Sequence, residues 1–392
     1  MSIKYYTAHK IHSGTCWMSA GTILAFDELN TLVKIYSNAT ELPLDASVQH
    51  IEGTLLPGMV NVHCHLELSH TKGTIEEGTG LVDFLIGVMQ QRNQLSEDDK
   101  KSHIQSAIDR LVNTGCIAVG DISNSTDLVP FRPNAPLHFV TFVETMGCNP
   151  AMVEGRFNYA QKVKESFQSQ SQSSKGYSLQ QHIVPHAPYS VIPELFKLID
   201  ISDPTSLISI HNEETAAENE YSRFKTGEMT RLYEFLKIDE AVFEPTGNTS
   251  LANYLPLLNS SHPLLLIHNT MMEASDIVML QNSNHPLISL GLCPNANWYI
   301  ERKLPNIPQL INSGINICIG TDSLASNKDL NIWSEICTIN KHFPDISEEE
   351  LIKWATFNGA KALGLTDKIG TFSKGKKPGL VVLKNNSTKR LF

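Results

Sequence analysis

The sequence predicts an α/β protein: a (β/α)8 TIM barrel with a small β-sandwich domain formed by both chain termini. Three observations predict it. Between about residues 56 and 364, eight short apolar runs alternate with stretches of helical period, the pattern of parallel strands joined by crossover helices. Strand-like segments separated by turn residues fill the first 55 residues, and one more follows the last helix. Polar residues of one chemical kind close several of the central runs.

In chain order, Thr22–Phe26, Thr31–Tyr36 and Val48–Ile51 read as short strands. The eight central runs are Gly58–Val62, Ile117–Asp121, Phe139–Val143, His182–Pro185, Leu207–Ile210, Leu264–Ile267, Leu287–Leu290 and Ile315–Ile319. Ser347 and Glu350 form a capping-box pattern, Leu351 to Leu363 carries an apolar stripe, and Gly364 stands at the expected stop. Gly379–Leu383 reads as a final strand. Residues 1–55 and 365–392 are therefore expected to make one composite β domain beside a barrel of residues 56–364. The low-complexity stretch Ser166–Ser174 is expected as a loop or a frayed helix end.

Composition narrows the function. The 392-residue chain is long enough for a core of barrel size. Its net charge of −10 lacks the basic footprint of a nucleic-acid or anionic-membrane binder. No apolar run approaches a membrane span, and the first residues carry no signal-peptide core. Seven scattered cysteines without C-x-x-C spacing read as reduced thiols of a cytoplasmic protein. Pro-Cys-x-x-Cys, Gly-x-Ser-x-Gly and His-Glu-x-x-His are all absent, which removes the other zinc-deaminase fold, the serine hydrolases and the zinc proteases.

The ends of the central runs carry the chemistry. The first run leads into His63-Cys64-His65. Residues i and i+2 of a strand share a face, so both imidazoles project together, and Cys64 points away into packing. The fourth run leads to His186, the fifth to His211-Asn-Glu-Glu214, the sixth to His268 and the eighth to Gly320-Thr-Asp322. Active sites of such barrels lie at these C-terminal ends. A ring of imidazoles with a carboxylate suits Zn²⁺ or Fe²⁺.

These segments carry a resemblance. Leu-Pro-Gly-Met-Val-Asn-Val-His-Cys-His (56–65), His-Asn-Glu-Glu-Thr (211–215), Ile-His-Asn-Thr (267–270), Cys-Pro-Asn-Ala-Asn (293–297), Gly-Thr-Asp-Ser-Leu-Ala-Ser-Asn (320–327) and Ala-Thr-Phe-Asn-Gly-Ala-Lys-Ala-Leu-Gly (355–364) resemble the amidohydrolase superfamily, in its cytosine deaminase-like and chlorohydrolase-like branch. Lys374 to Leu383 resembles the closing segment of that family but lacks its acidic residue. The resemblance implies one divalent metal ion, Zn²⁺ first and Fe²⁺ second, held by His63, His65, His211 and Asp322. It implies Asp322 as general base toward a metal-activated water, His268 as hydrogen-bond partner of that water, and Glu214 as the acid that protonates the substrate ring. Glu214 is preferred to Glu213 because the family pattern puts the acid three residues after the histidine.

The remaining site residues are expectations of the same kind. His186, Glu67 and Trp298 are assigned to substrate binding, Trp298 as a stacking surface. Glu144 and His186 stand where two-metal members carry a lysine, which favours a single metal and leaves Glu144 as a hydrogen-bonding group. Arg156 and Arg223 are read as surface residues. The expected activity is deamination of an amino-substituted heterocycle: an adenine-type nucleoside, guanine or a cytosine-like base. His-Leu-Glu-Leu-Ser (65–69) looks like a segment of some aminodeoxyfutalosine deaminases, which puts a 6-aminopurine nucleoside first. A chlorohydrolase or cyclic-amide hydrolase is the alternative chemistry, and a catalytically inactive binding barrel the alternative class. The expected partner is a small heterocycle; a homodimer is the assembly considered.

Overall fold

The computed structural model describes residues 3–170 and 176–392. Four strands come first: β1 (Lys4–Ile11), β2 (Ile23–Phe26), β3 (Leu32–Tyr36) and β4 (Val48–Leu56). Eight follow at the positions of the central apolar runs: β5 (Met59–Cys64), β6 (Cys116–Ser123), β7 (His138–Thr145), β8 (Leu179–Pro185), β9 (Ile208–Asn212), β10 (Leu264–His268), β11 (Ile288–Leu292) and β12 (Asn316–Ile319). β13 (Val381–Lys384) and β14 (Ser387–Arg390) close the chain.

β5 to β8 pair in that order, all parallel, and β9 to β12 do the same. Connections containing helix join the other strands of each sheet, the usual crossover of parallel pairing, while β6 and β7 are joined by residues 124–137 in turns alone. Most residues of these strands are buried, which is why they read as unbroken apolar runs. The two parallel sheets meet at their C-terminal ends. The N–H groups of Thr321 and Asp322 donate to the His63 carbonyl at 3.1 and 3.0 Å, and the His211 N–H donates to the His186 carbonyl at 3.0 Å. Gly320 permits the first of these approaches: a Cβ there would lie 2.9 Å from the His63 Cβ.

Both chain ends enter one six-stranded sheet, in the order β14-β13-β4-β1-β2-β3. β1 lies at its centre, parallel to β4 and antiparallel to β2. Its successive residues feed two apolar clusters: Tyr6 packs with Leu24, Phe26 and Phe372, and Tyr5 with Ile23 and Tyr36, the alternation of a strand.

Local expectations fare unevenly. Ser347 caps the helix Glu348–Lys353 by accepting from the Glu350 N–H at 3.2 Å. The Glu350 side chain turns instead to the Trp354 indole N–H at 2.8 Å, so half of the expected box forms. The helical path widens at Trp354–Asn358, and Gly364 takes a left-handed φ of 66° at the stop. In the stretch Ser166–Ser174, the helix Val153–Gln168 reaches through Gln168; residues 171–174 lie outside the described residues. No helix among the described residues is long and apolar enough to cross a membrane.

Candidate active site

The strand ends bring four imidazoles and two carboxylates together. His63 and His65 come from the end of β5, His211 from β9, His268 from β10, Asp322 from the turn after β12 and Glu214 from the turn after β9. The His63 ring centroid lies 4.8 Å from that of His65, 4.9 Å from His211 and 5.8 Å from His268. The Nε2 atoms of His63 and His65 are 3.1 Å apart, and both face the Asp322 Oδ1, at 3.4 and 3.3 Å.

Two of these residues, and one neighbour, hold strained backbones. His268 and Asp322 hold φ at 73° and 58°, and Glu213, just before Glu214, at 47°. Left-handed φ at a non-glycine residue costs about 1–2 kcal/mol, and such costs cluster at functional sites. Here the turns place His268 and Asp322 beside the strand-end histidines.

The hydrogen bonds orient the rings. His211 Nδ1 lies 2.9 Å from the His186 carbonyl, which can only accept, so Nδ1 carries the proton and Nε2 presents a lone pair. Glu144 Oε1 lies 3.5 Å from the same Nδ1, and Glu144 Oε2 accepts from Asn124 Nδ2 at 3.0 Å. Glu144 thus backs His211 as a hydrogen-bonding group. His268 Nδ1 faces the Asn297 amide nitrogen at 3.1 Å. With the amide in this orientation, the proton of His268 stands on Nε2, and His268 is a donor toward the cavity. Its Nε2 lies 3.5 Å from Glu214 Oε1. Ser326 donates to the second Asp322 oxygen.

Burial sets the charges. It pushes His63, His186, His211 and His268 down to about 3, so these rings are neutral at neutral pH. Burial pushes Glu214 well above the usual carboxylate range, reinforced by Asp322, Glu218 and Glu301, so it keeps its proton. For Asp322, burial is outweighed by the hydrogen bond to His63 and the imidazoles around it, and the carboxyl is held well below that range. The His63 and His65 Nε2 atoms and a carboxylate oxygen therefore crowd one point. That donor set fits a divalent cation. His63, His65 and Asp322 are mutually close enough to hold one ion, and so are His63, His211 and His268.

A cavity of about 190 Å³ opens over this cluster. Its floor includes His65, His186, His211, Glu214, His268 and Asp322. Phe84, Leu85 and Val88 of the helix Leu81–Gln91 and Leu232 and Leu236 of the helix Met229–Leu236 line its apolar side. His186 is held through Nδ1 to Ser190 Oγ at 2.6 Å.

Two expected substrate residues are placed elsewhere. The Glu67 Oε2 accepts from the Asn124 and Ser125 N–H groups at 3.0 and 3.2 Å and from Ser125 Oγ at 3.0 Å, while Oε1 faces Arg92 at 3.4 Å. Its carboxylate fastens the loop after β6 and does not line the cavity. Trp298 is 40% exposed, packs its ring against His342 at 4.9 Å and is absent from the cavity wall. One position earlier, Asn297 faces inward and reaches His268. A helix turns about 100° per residue, so neighbouring positions of Pro294–Glu301 face different surroundings. Asn297 was legible only as part of its motif. Because its ring does not line the cavity, Trp298→Ala is expected to leave kcat and KM for ammonia release near wild type. Arg223 pairs with Glu273 at 2.8 Å, and Cys64 is buried in an apolar cluster, both as expected.

The chain is 29% identical over 351 residues to the aminodeoxyfutalosine deaminase of a Nitratiruptor species, covering 87% of this chain and 80% of that one. It is 27% identical over 372 residues to the adenosine deaminase of Helicobacter pylori, covering 92% and 86%. The crystal structure of Helicobacter pylori aminofutalosine deaminase in complex with methylthio-coformycin shares its fold, with a TM-score of 0.81 at 23% identity, covering 97% of this chain and 91% of that one. The amidohydrolase family model matches residues 54–391, the whole span from β5 through β14, and the chain belongs to the amidohydrolase family, as a hydrolase of carbon–nitrogen bonds.

Proposed function

We propose that the chain deaminates a 6-aminopurine nucleoside by adding water at the amino-bearing ring carbon and releasing ammonia. The observation that carries this reading is Glu214, a buried carboxyl that keeps its proton while facing the same cavity as the ionised Asp322. Two carboxyls pushed apart in this way divide acid from base. A ring nitrogen must gain a proton as the adjacent carbon becomes tetrahedral, and Glu214 supplies it. Asp322 takes the proton of the attacking water. His268, with its proton on Nε2, donates to the developing oxygen. The apolar cavity side accommodates a planar ring, and His186 offers it a polar contact. The names of the two relatives above support an aminopurine over a plain cyclic amide.

His63, His65, His211 and Asp322 would hold one divalent ion, Zn²⁺ before Fe²⁺. Such an ion lowers the pKa of a bound water toward neutrality. We take the two parallel sheets as halves of one closed barrel of residues 56–364. Residues 1–55 and 365–392 then form a β-sandwich-type domain beside it, supported by the apolar clusters on both faces of the six-stranded sheet. Seven free thiols support a cytoplasmic setting.

The test is ammonia release by Zn²⁺-loaded protein across aminopurines, aminopyrimidines, their nucleosides and aminodeoxyfutalosine. Release from 6-aminopurine nucleosides is expected. It should vanish after chelation and return on adding Zn²⁺ or Fe²⁺. Silence across the panel with metal bound would overturn the reading in favour of dechlorination or cyclic-amide hydrolysis.

A further inference from the structure

Glu218 stands in the first turn of the helix Ala216–Phe224, one turn beyond Glu214, and its side chain does not line the active-site cavity. It is 2% exposed. Its Oε1 accepts from the Glu213 N–H at 3.1 Å and from Ser250 Oγ; its Oε2 accepts from the Glu214 N–H at 3.1 Å. One carboxylate thus takes two consecutive peptide N–H groups, those of the strand-end turn that carries the acid.

The turn needs a clamp. Glu213 holds a left-handed φ of 47° without being glycine, a state that persists only where its surroundings enforce it. A further brace comes from Asn219, which donates to Glu213 Oε1 at 3.1 Å and accepts from the Ser250 N–H at 2.8 Å. Ser250 opens the short helix Ser250–Tyr254, so the clamp is seated on an element outside the turn. Burial pushes the Glu218 carboxyl up to about 7, and the Ser250 hydroxyl and the two peptide N–H groups act against that rise.

We propose that Glu218 is the positioning residue for Glu214, fixing the angle at which the acid enters the cavity. The inference rests on the role of Glu214 proposed above. Glutamine at 218 keeps the size but offers one acceptor oxygen and an NH₂ group, so one of the two peptide N–H groups loses its partner. Aspartate is one methylene too short to hold both.

The test compares Glu218→Gln, Glu218→Asp and Ser250→Ala with wild type in Zn²⁺-loaded protein. Four quantities are read: kcat and KM for ammonia release, metal content, melting temperature, and amide exchange across residues 208–218. For Glu218→Gln, kcat should fall about 100-fold, the scale of a 1 Å misplacement, with KM and metal content near wild type and faster exchange at the Glu213 and Glu214 amides. Ser250→Ala should shift the same quantities less, and it carries the test if both Glu218 variants fail to fold. An unchanged kcat would overturn the proposal. So would a fall in kcat that tracks loss of metal or of melting temperature, which would mark a purely structural role. A wild-type enzyme silent on the heterocycle panel would overturn the functional reading alone. The clamp would then stand or fall on the exchange rates, and unchanged exchange in Glu218→Gln would overturn it.

Discussion

Asp322→Asn is expected to abolish turnover. The side chain has two duties on one carboxylate: Oδ1 faces the His63 and His65 Nε2 atoms at 3.4 and 3.3 Å, and Oδ2 accepts from Ser326. Asparagine keeps the shape and tolerates the left-handed φ of 58° almost as well as aspartate, so the backbone should be undisturbed. What it removes is the negative charge and the basic oxygen. Loss of a general base alone costs about 10²–10⁴-fold, and loss of an anionic donor weakens the metal site as well. Activity should fall at least about 1000-fold on those grounds, with metal content reduced. Ammonia release and metal analysis on the same preparation check both. Substantial residual turnover would strip Asp322 of its place as base.

The main features of this fold were legible because burial wrote them plainly. β5 to β12 lie between layers, so their residues are apolar almost without interruption, and each was visible as a run. β1 and β14 were not. Lys4–Ile11 mixes exposed and buried positions irregularly, because its parallel partner β4 lies some forty residues away, and Ser387–Arg390 is mostly polar, because it is an edge strand paired only with β13. Only the folded chain shows that β1 is the sheet's centre. The site followed the same logic. His63, His65, His211, His268 and Asp322 could be read at the ends of legible strands. Glu67 could not be placed, because a short 3₁₀ turn at Leu66–Thr71 carries its carboxylate to the neighbouring loop at Ser125. Trp298 and Asn297 differ only in helical phase. Glu218 belongs to no motif read in the sequence; its place in the fold includes a hydrogen bond from Ser250, which lies 32 residues further along the chain.

Glu214→Gln is expected to separate chemistry from metal binding. Glutamine fits the same space, since Glu214 is 4% exposed and already uncharged in its protonated state. It can donate a hydrogen bond to a ring nitrogen but cannot give up a proton. Turnover should fall about 10²–10⁴-fold, the usual contribution of a general acid, while metal content stays at the wild-type level. Loss of metal instead would show that the carboxylate roles are reversed. Stability should move the other way. The folded-state pKa of Glu214 is raised above its unfolded value, first by burial and then by Asp322, Glu218 and Glu301. Between those two values the native state binds more protons than the unfolded one, so this group's contribution to stability declines as pH rises from the normal carboxylate range toward the raised value. Glutamine removes that decline. In metal-free protein, Glu214→Gln should therefore melt above wild type, by a margin that widens with pH across this window. A melting temperature that falls alongside activity would mean that the buried acid stabilises the fold, and that its proton is held for a reason other than catalysis. A variant that is more stable and catalytically silent would show the cost at which the active site keeps a protonated carboxyl beside an ionised one.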